Sequence, residues 1–169
     1  MIVLITGYTS QELGIFNEKD MKVKYIKKVI RKDLINYLDN GVEWFVFTGK
    51  LGFEFWVLEV LLTLQEDYKF KIATFFCFSN HGANWSEINQ NKIVKFKSVD
   101  FIKYFFDGFE SVHQLRSFQK FCIEHTDEAY IFYDEEYKTN FDYFYMSMKE
   151  KKNYLITKID FKKLNESIE

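Results

Sequence analysis

Short apolar runs that end at a glycine or a polar turn, each followed by residues at helical spacing, recur along the whole chain. This alternation limits the fold more than any other feature of the sequence. Ile2–Thr6 stops at Gly7, and Glu43–Thr48 stops at Gly49; Lys71–Phe78, Val99–Phe105, Ala129–Tyr133 and Tyr154–Thr157 complete the series. Such runs suit strands covered on both faces. Between the first two, Ile26, Val29, Ile30, Leu34, Tyr37 and Leu38 recur at helical steps, with Asp20 as a cap and Gly41 just past the helix end. Further helices are predicted from Phe53 to about Glu66, Ser86 through Lys97, Gln114–His125, Phe141–Lys151, and in a short stretch beyond Asp160.

Strands joined through helices run parallel, and right-handed crossovers wind them into an open sheet. The expected class is therefore α/β: a Rossmann-like, doubly wound, mostly parallel sheet flanked by helices. One domain is expected over residues 1–169.

Composition narrows the function classes. The net charge of −2 disfavours a generic binder of nucleic-acid backbones, which needs a basic face. The chain holds 20 Phe, 11 Tyr and 3 Trp, with no Pro and far more Lys than Arg, a pattern that suits an AT-rich genome. The other reading is that some rings form a surface: Phe141, Tyr143, Phe144 and Tyr145 fit either a core or a homo-oligomer interface. Cys77 and Cys122 read as free buried thiols in a reducing, cytoplasmic setting. Met1–Gly7 is too short for a signal peptide or a span, and Phe53–Leu64, which carries Glu54 and Glu59, reads as a buried helix, so no membrane span is expected. No residues stand at metal spacing, and no cofactor motif is present.

In open α/β sheets, ligands sit outside the carboxyl ends of the strands. The loops expected there are Gly7 to Gly14, Thr48 to Gly52, Cys77 to Trp85, Phe106 to Gln114 and Asp134 to Asn140. The sharpest motif is Thr48-Gly49-Lys50-Leu51-Gly52 at a strand-to-helix junction. Free amides and a helix dipole there attract anions, and glycines admit a phosphate; the same spacing also fits a tight turn with no ligand. Glu54 reads either as a surface carboxylate favoured by the dipole or as an acid/base or ribose-binding group. Trp56 is core or a stacking platform, and Tyr8 a base-stacking ring or a cover for the sheet edge. Gly7 fits a tight turn, and Glu12 shares its loop. His81, Asn84 and Trp85 place polar and aromatic groups in the third loop. Arg116 is a phosphate ligand or a solvated helix residue, and Asp134 ends a strand in the site region.

Gly7-Tyr8, Glu12-Leu13-Gly14-Ile15-Phe16, Glu43-Trp44, Gly49-x-x-Gly52-x-Glu54-x-Trp56 with Glu59, then Gln114 and Tyr133-Asp134 together resemble the YpsA family. Those are small cytosolic proteins placed in the SLOG superfamily of Rossmann-like domains, beside DprA and the LOG phosphoribohydrolases. The resemblance implies a nucleotide or nucleotide-derived, ADP-ribose-like ligand at the glycine turn. It also implies a regulatory role linked to cell division or stress, exerted through a protein partner. Gly49, Gly52, Glu54 and Trp56 carry the implied site, with Gly7, Tyr8 and Glu12 beside them. The single glycines at Gly49 and Gly52 depart from the Gly-Gly pair of the LOG hydrolases. Two alternatives stay open: hydrolysis of the N-glycosidic bond of a nucleoside monophosphate, with Glu54 at the ribose and Arg116 or Lys50 on phosphate, and single-stranded DNA binding.

Overall fold

The computed structural model describes residues 1–168; Glu169, the last residue of the expected domain, lies outside them. Six strands and six helices alternate: β1 (Ile2–Gly7), α1 (Met21–Asp39), β2 (Trp44–Phe47), α2 (Phe53–Leu64), β3 (Lys71–Phe78), α3 (Glu87–Lys97), β4 (Phe101–Phe106), α4 (Val112–Glu124), β5 (Glu128–Phe132), α5 (Asp142–Glu150), β6 (Leu155–Ile159) and α6 (Phe161–Ile168). The strands form one sheet in the order β4-β3-β2-β1-β5-β6, and every pairing is parallel. This is the α/β, Rossmann-like layout read from the alternation.

The helices form for identifiable reasons. The Asp20 carboxylate accepts from the Lys22 amide at 2.9 Å to start α1, and its apolar residues Val23, Ile26, Ile30 and Leu34 are buried at helical spacing. α2 is buried nearly all round because it packs on α1, α3 and β1. α4 begins two residues earlier than its spacing suggested. Gln114 Oε1 accepts from the Glu110 and Ser111 amides at 2.7 and 3.3 Å and so closes off the helix start.

The strand order reverses between β1 and β5. Connections from β1 run outward through β2, β3 and β4, and the chain then returns through α4 to β5. Phe53 and Phe132 meet edge-on in the core there, at 5.9 Å. Of the rings considered for an interface, Phe141, Phe144 and Tyr145 are core residues and Tyr143 alone is exposed.

Candidate functional site

The turn between β2 and α2 is shaped by its two glycines. Gly49 has φ +86° and Gly52 φ +111°, both left-handed. A Cβ on Gly52 would lie 2.3 Å from the Ser10 nitrogen. The reason is that the turn is zipped to the loop after β1: Ser10 N–H donates to Leu51 O at 3.3 Å, and Phe53 N–H donates to Tyr8 O at 3.2 Å. Close backbone approach is therefore real at Gly52, but the partner is the protein's own chain.

The electropositive amides of this turn also have an internal partner. Glu54, in the first turn of α2, folds back beneath it with 1% of its surface exposed. Its Oε1 accepts from the Thr48 and Gly49 amides at 2.7 and 3.0 Å, with the Lys50 amide at 3.5 Å. Its Oε2 accepts from the hydroxyl of Thr6, at 3.1 Å, and from that of Thr48. Burial pushes the Glu54 carboxyl above its ordinary value, against the pull of the Lys50 charge and of the Thr48 and Thr6 hydrogen bonds. The spacing leaves open an external phosphate or a tight turn with no ligand; in the structure these amides are bound by the Glu54 carboxylate.

The other sequence-selected residues divide in the same way. Tyr8 is buried where the strand order reverses. Its hydroxyl lies 2.6 Å from Tyr137 O and 3.0 Å from Asp134 O, and it accepts from the Asp134 amide at 2.9 Å. Its ring is stacked against Phe161, so it presents no face to a base. Trp56 is fully buried, and its indole N–H donates to Glu18 Oε2 at 3.0 Å. Glu12 Oε1 binds the Thr9 amide and hydroxyl at 2.8 and 3.0 Å. Asp134 Oδ1 accepts from the Glu136 amide and Oδ2 from the Phe161 amide, which ties β5 to the start of α6. Gly7 lets β1 run against the Phe132 backbone, where a Cβ would meet Phe132 O at 2.6 Å. The Arg116 guanidinium lies over the Tyr143 ring at 4.3 Å, on the α4–α5 pair; it is absent from the cleft lining.

Three of the expected loops, those after β1, β2 and β3, enclose an open cleft of about 470 Å³. Ser10, Gln11, Lys50, Leu51, His81 and Trp85 line it from those loops, and Asn89 and Lys92 reach it from α3. His81 Nε2 donates to Gly49 O at 2.7 Å, which leaves Nδ1 as the acceptor nitrogen, and the imidazole meets Trp85 edge-on at 4.9 Å. Burial holds the His81 pKa below its ordinary value, so the ring stays neutral. Lys92 Nζ binds Glu18 Oε1 at 2.8 Å. Glu18 thus joins the loop after β1 to both α2 and α3. Phe16, on the same loop, is 82% exposed at the rim.

Lys50 and the loop of His81 and Trp85 were expected here. Glu18, Asn89 and Lys92 were not, since nothing in their spacing distinguishes them from surface residues. A second hollow of about 520 Å³ lies beside Asp134, Tyr137, Phe161 and Lys162. Among the described residues, no cluster of His, Cys, Asp and Glu could hold a metal ion, and no helix is long and apolar enough to cross a membrane.

Residues 3–164 match the YspA SLOG family. Over 99% of its length the chain is 52% identical to the UPF0398 protein YfdB of Lactococcus lactis subsp. lactis (strain IL1403), covering 96% of that protein. It is 51% identical to a UPF0398 protein of Streptococcus thermophilus (strain ATCC BAA-491 / LMD-9), over 97% of this chain and 96% of the relative. A UPF0398 protein of Streptococcus mutans serotype c (strain ATCC 700610 / UA159) is 46% identical over 99% of this chain and 96% of its own.

Proposed function

The chain belongs to the YspA SLOG family, and from that premise we propose that it binds a nucleotide or nucleotide-derived ligand of ADP-ribose type in the cleft above β1, β2 and β3. The observation that carries this reading is the cleft's equipment. Lys92 brings positive charge, Ser10, Gln11 and Asn89 bring hydrogen-bonding groups, and Trp85 supplies an aromatic wall; Lys50 lines the cleft with its ammonium turned over the Phe141 ring. A phosphate needs the first, ribose hydroxyls the second and a base the third. The phosphate is held by the Lys92 ammonium, because the turn amides are engaged by Glu54.

The role is regulatory. An entering anion competes with Glu18 for the Lys92 ammonium and so loosens the tie from the loop after β1 to α3. A protein partner reads the altered loop, in keeping with a part in cell division or stress control. The buried free thiols Cys77 and Cys122 suit a reducing, cytoplasmic setting. Glu54, enclosed and fully hydrogen-bonded, weighs against a hydrolase that would use it at a ribose.

Calorimetry against ADP-ribose, AMP and cyclic nucleotides tests the reading. Binding to at least one, weakened in Lys92→Ala, is the expected result. Absence of heat across the panel, with the wild-type protein folded, overturns it.

A further inference from the structure

Helix α1 carries its charges where they work against it. Lys22 and Lys24 stand in its first turn, which holds no acid, and its last turn holds no base. The helix dipole favours the reverse. Lys24, Lys28 and Lys32 follow one another at four-residue steps, as do Lys27 and Arg31, so like charges are neighbours along the helix surface. Of the chain's 23 basic and 25 acidic residues, α1 alone holds six basic and two acidic, which leaves 17 against 23 elsewhere. Such an arrangement opposes the helix itself and favours an anion outside it.

Two grooves flank this helix. The one against α2, of about 590 Å³, is lined by Lys24, Lys27, Lys28 and Arg31; the one against α6, of about 360 Å³, by Lys28, Lys32 and Lys163. The acids beside them are mostly engaged. Glu59 is held by Lys27 and Lys95, and Asp33 by Lys163 and the Tyr130 hydroxyl, while Glu166 is exposed. Lys24, Lys28, Arg31 and Lys32 are exposed and join no salt bridge among the described residues. None of these four lines the cleft above β1, β2 and β3, so this face acts whether or not the cleft takes a nucleotide. We propose that it docks a short acidic segment of a partner protein, with carboxylates set against Lys24, Lys28, Arg31 and Lys32. Lys24 to Lys32 spans about 12 Å of helix. A nucleic acid or an anionic membrane would reach past it and meet the negative balance of the rest of the chain. No large apolar side chain is exposed between Lys24 and Lys32, so the face offers neither rings for bases nor an anchor for lipid. The cations are strung along the helix, which suits several carboxylates on one chain better than a single small anion.

Fluorescence anisotropy of the full chain with a labelled peptide of alternating Glu and Ala, about ten residues long and so able to span the face, tests this. The peptide is expected to bind, more weakly as salt rises. The triple variant Lys24→Glu, Lys28→Glu, Lys32→Glu weakens binding about tenfold or more, and Lys28→Ala alone weakens it severalfold. The triple variant unfolds at or above the wild-type temperature, since Lys24→Glu suits the helix start. A charge-matched control, Lys103→Glu, Lys138→Glu, Lys152→Glu, alters exposed lysines outside α1 and keeps most of the binding. Absence of binding at low salt overturns the proposal, as does a loss in the control equal to that in the α1 variant. Displacement of the peptide at lower charge concentration by an oligothymidylate or by phosphatidylglycerol vesicles than by unlabelled peptide assigns the face to another polyanion and overturns it too.

Discussion

Glu54 Oε1 lies 2.7 Å from the Thr48 nitrogen, six residues back along the chain, and so closes the turn between β2 and α2 from within. The hydrogen bonds from Thr48, Gly49 and Thr6 make this carboxylate the internal counter-charge of the turn. Removing it strands buried donors and leaves a void. Glu54→Ala is expected to lower stability by about 3 kcal/mol, measured by urea denaturation. A loss below about 1 kcal/mol would mean that the amides find other partners.

Gly52 and Gly14 both have positive φ, at +111° and +67°, but their surroundings differ. A Cβ at Gly52 meets the backbone of Thr9 and Ser10, whereas one at Gly14 meets nothing within 4 Å. Gly52→Ala should cost about 3 kcal/mol or more, since rigid backbone must shift, and Gly14→Ala about 1 kcal/mol for the backbone conformation alone. Thermal unfolding of the two variants side by side checks the ordering. For the same reason a bulky residue at Gly52 disturbs the fold and is a poor probe of ligand binding.

The pH dependence of stability should contain two opposing parts. His81 titrates below its ordinary value of 6.5 in the folded chain, because it is buried. As pH falls below about 6.5, the unfolded chain takes up a proton that the folded chain resists, and stability declines. Glu54 titrates above its ordinary 4.5, so on acidification the folded chain takes up the proton first and stability rises. Denaturation series for His81→Gln and Glu54→Gln, each subtracted from wild type, should show slopes of opposite sign. Matching signs would contradict the assignment.

Tyr8→Phe deletes a hydroxyl that accepts from the Asp134 amide and lies within bonding distance of two carbonyls. The expected cost is about 1–2 kcal/mol. Hydrogen exchange should speed up at Asp134 and Tyr137, with the helix α1 unaffected. Unchanged exchange in that loop would show that the ring alone holds it.

How much of this was legible in the sequence depends on whether a feature is local. The strands and helices follow from periodicity, which a residue's neighbours fix. The convergence of the loops after β1, β2 and β3 follows from topology alone. The direction of side chains did not show. Glu54 stands where a dipole-stabilising surface carboxylate belongs; that it points inward depends on Thr6, which an adjacent strand delivers. Tyr8 reads equally as a platform or a plug until β5 supplies Asp134 and the following turn Tyr137. Glu18 and Lys92 lie 74 residues apart, and no spacing rule links them. The weak alternation of β4 did carry a signal: it marks a strand with neither face fully covered.

The placement of β1 has a consequence for how the protein is made. Its two neighbours are β2, which follows at once, and β5, whose first residue is Glu128. A ribosome adding about 5–20 residues each second needs on the order of ten seconds to travel from one to the other. Throughout that interval the emerging polypeptide holds an unpaired row of backbone amides and carbonyls, on a mostly apolar strand, in what will become the middle of the sheet. Premature partners of the wrong kind are most dangerous then, and quality-control factors that shield nascent chains have their longest opportunity to act.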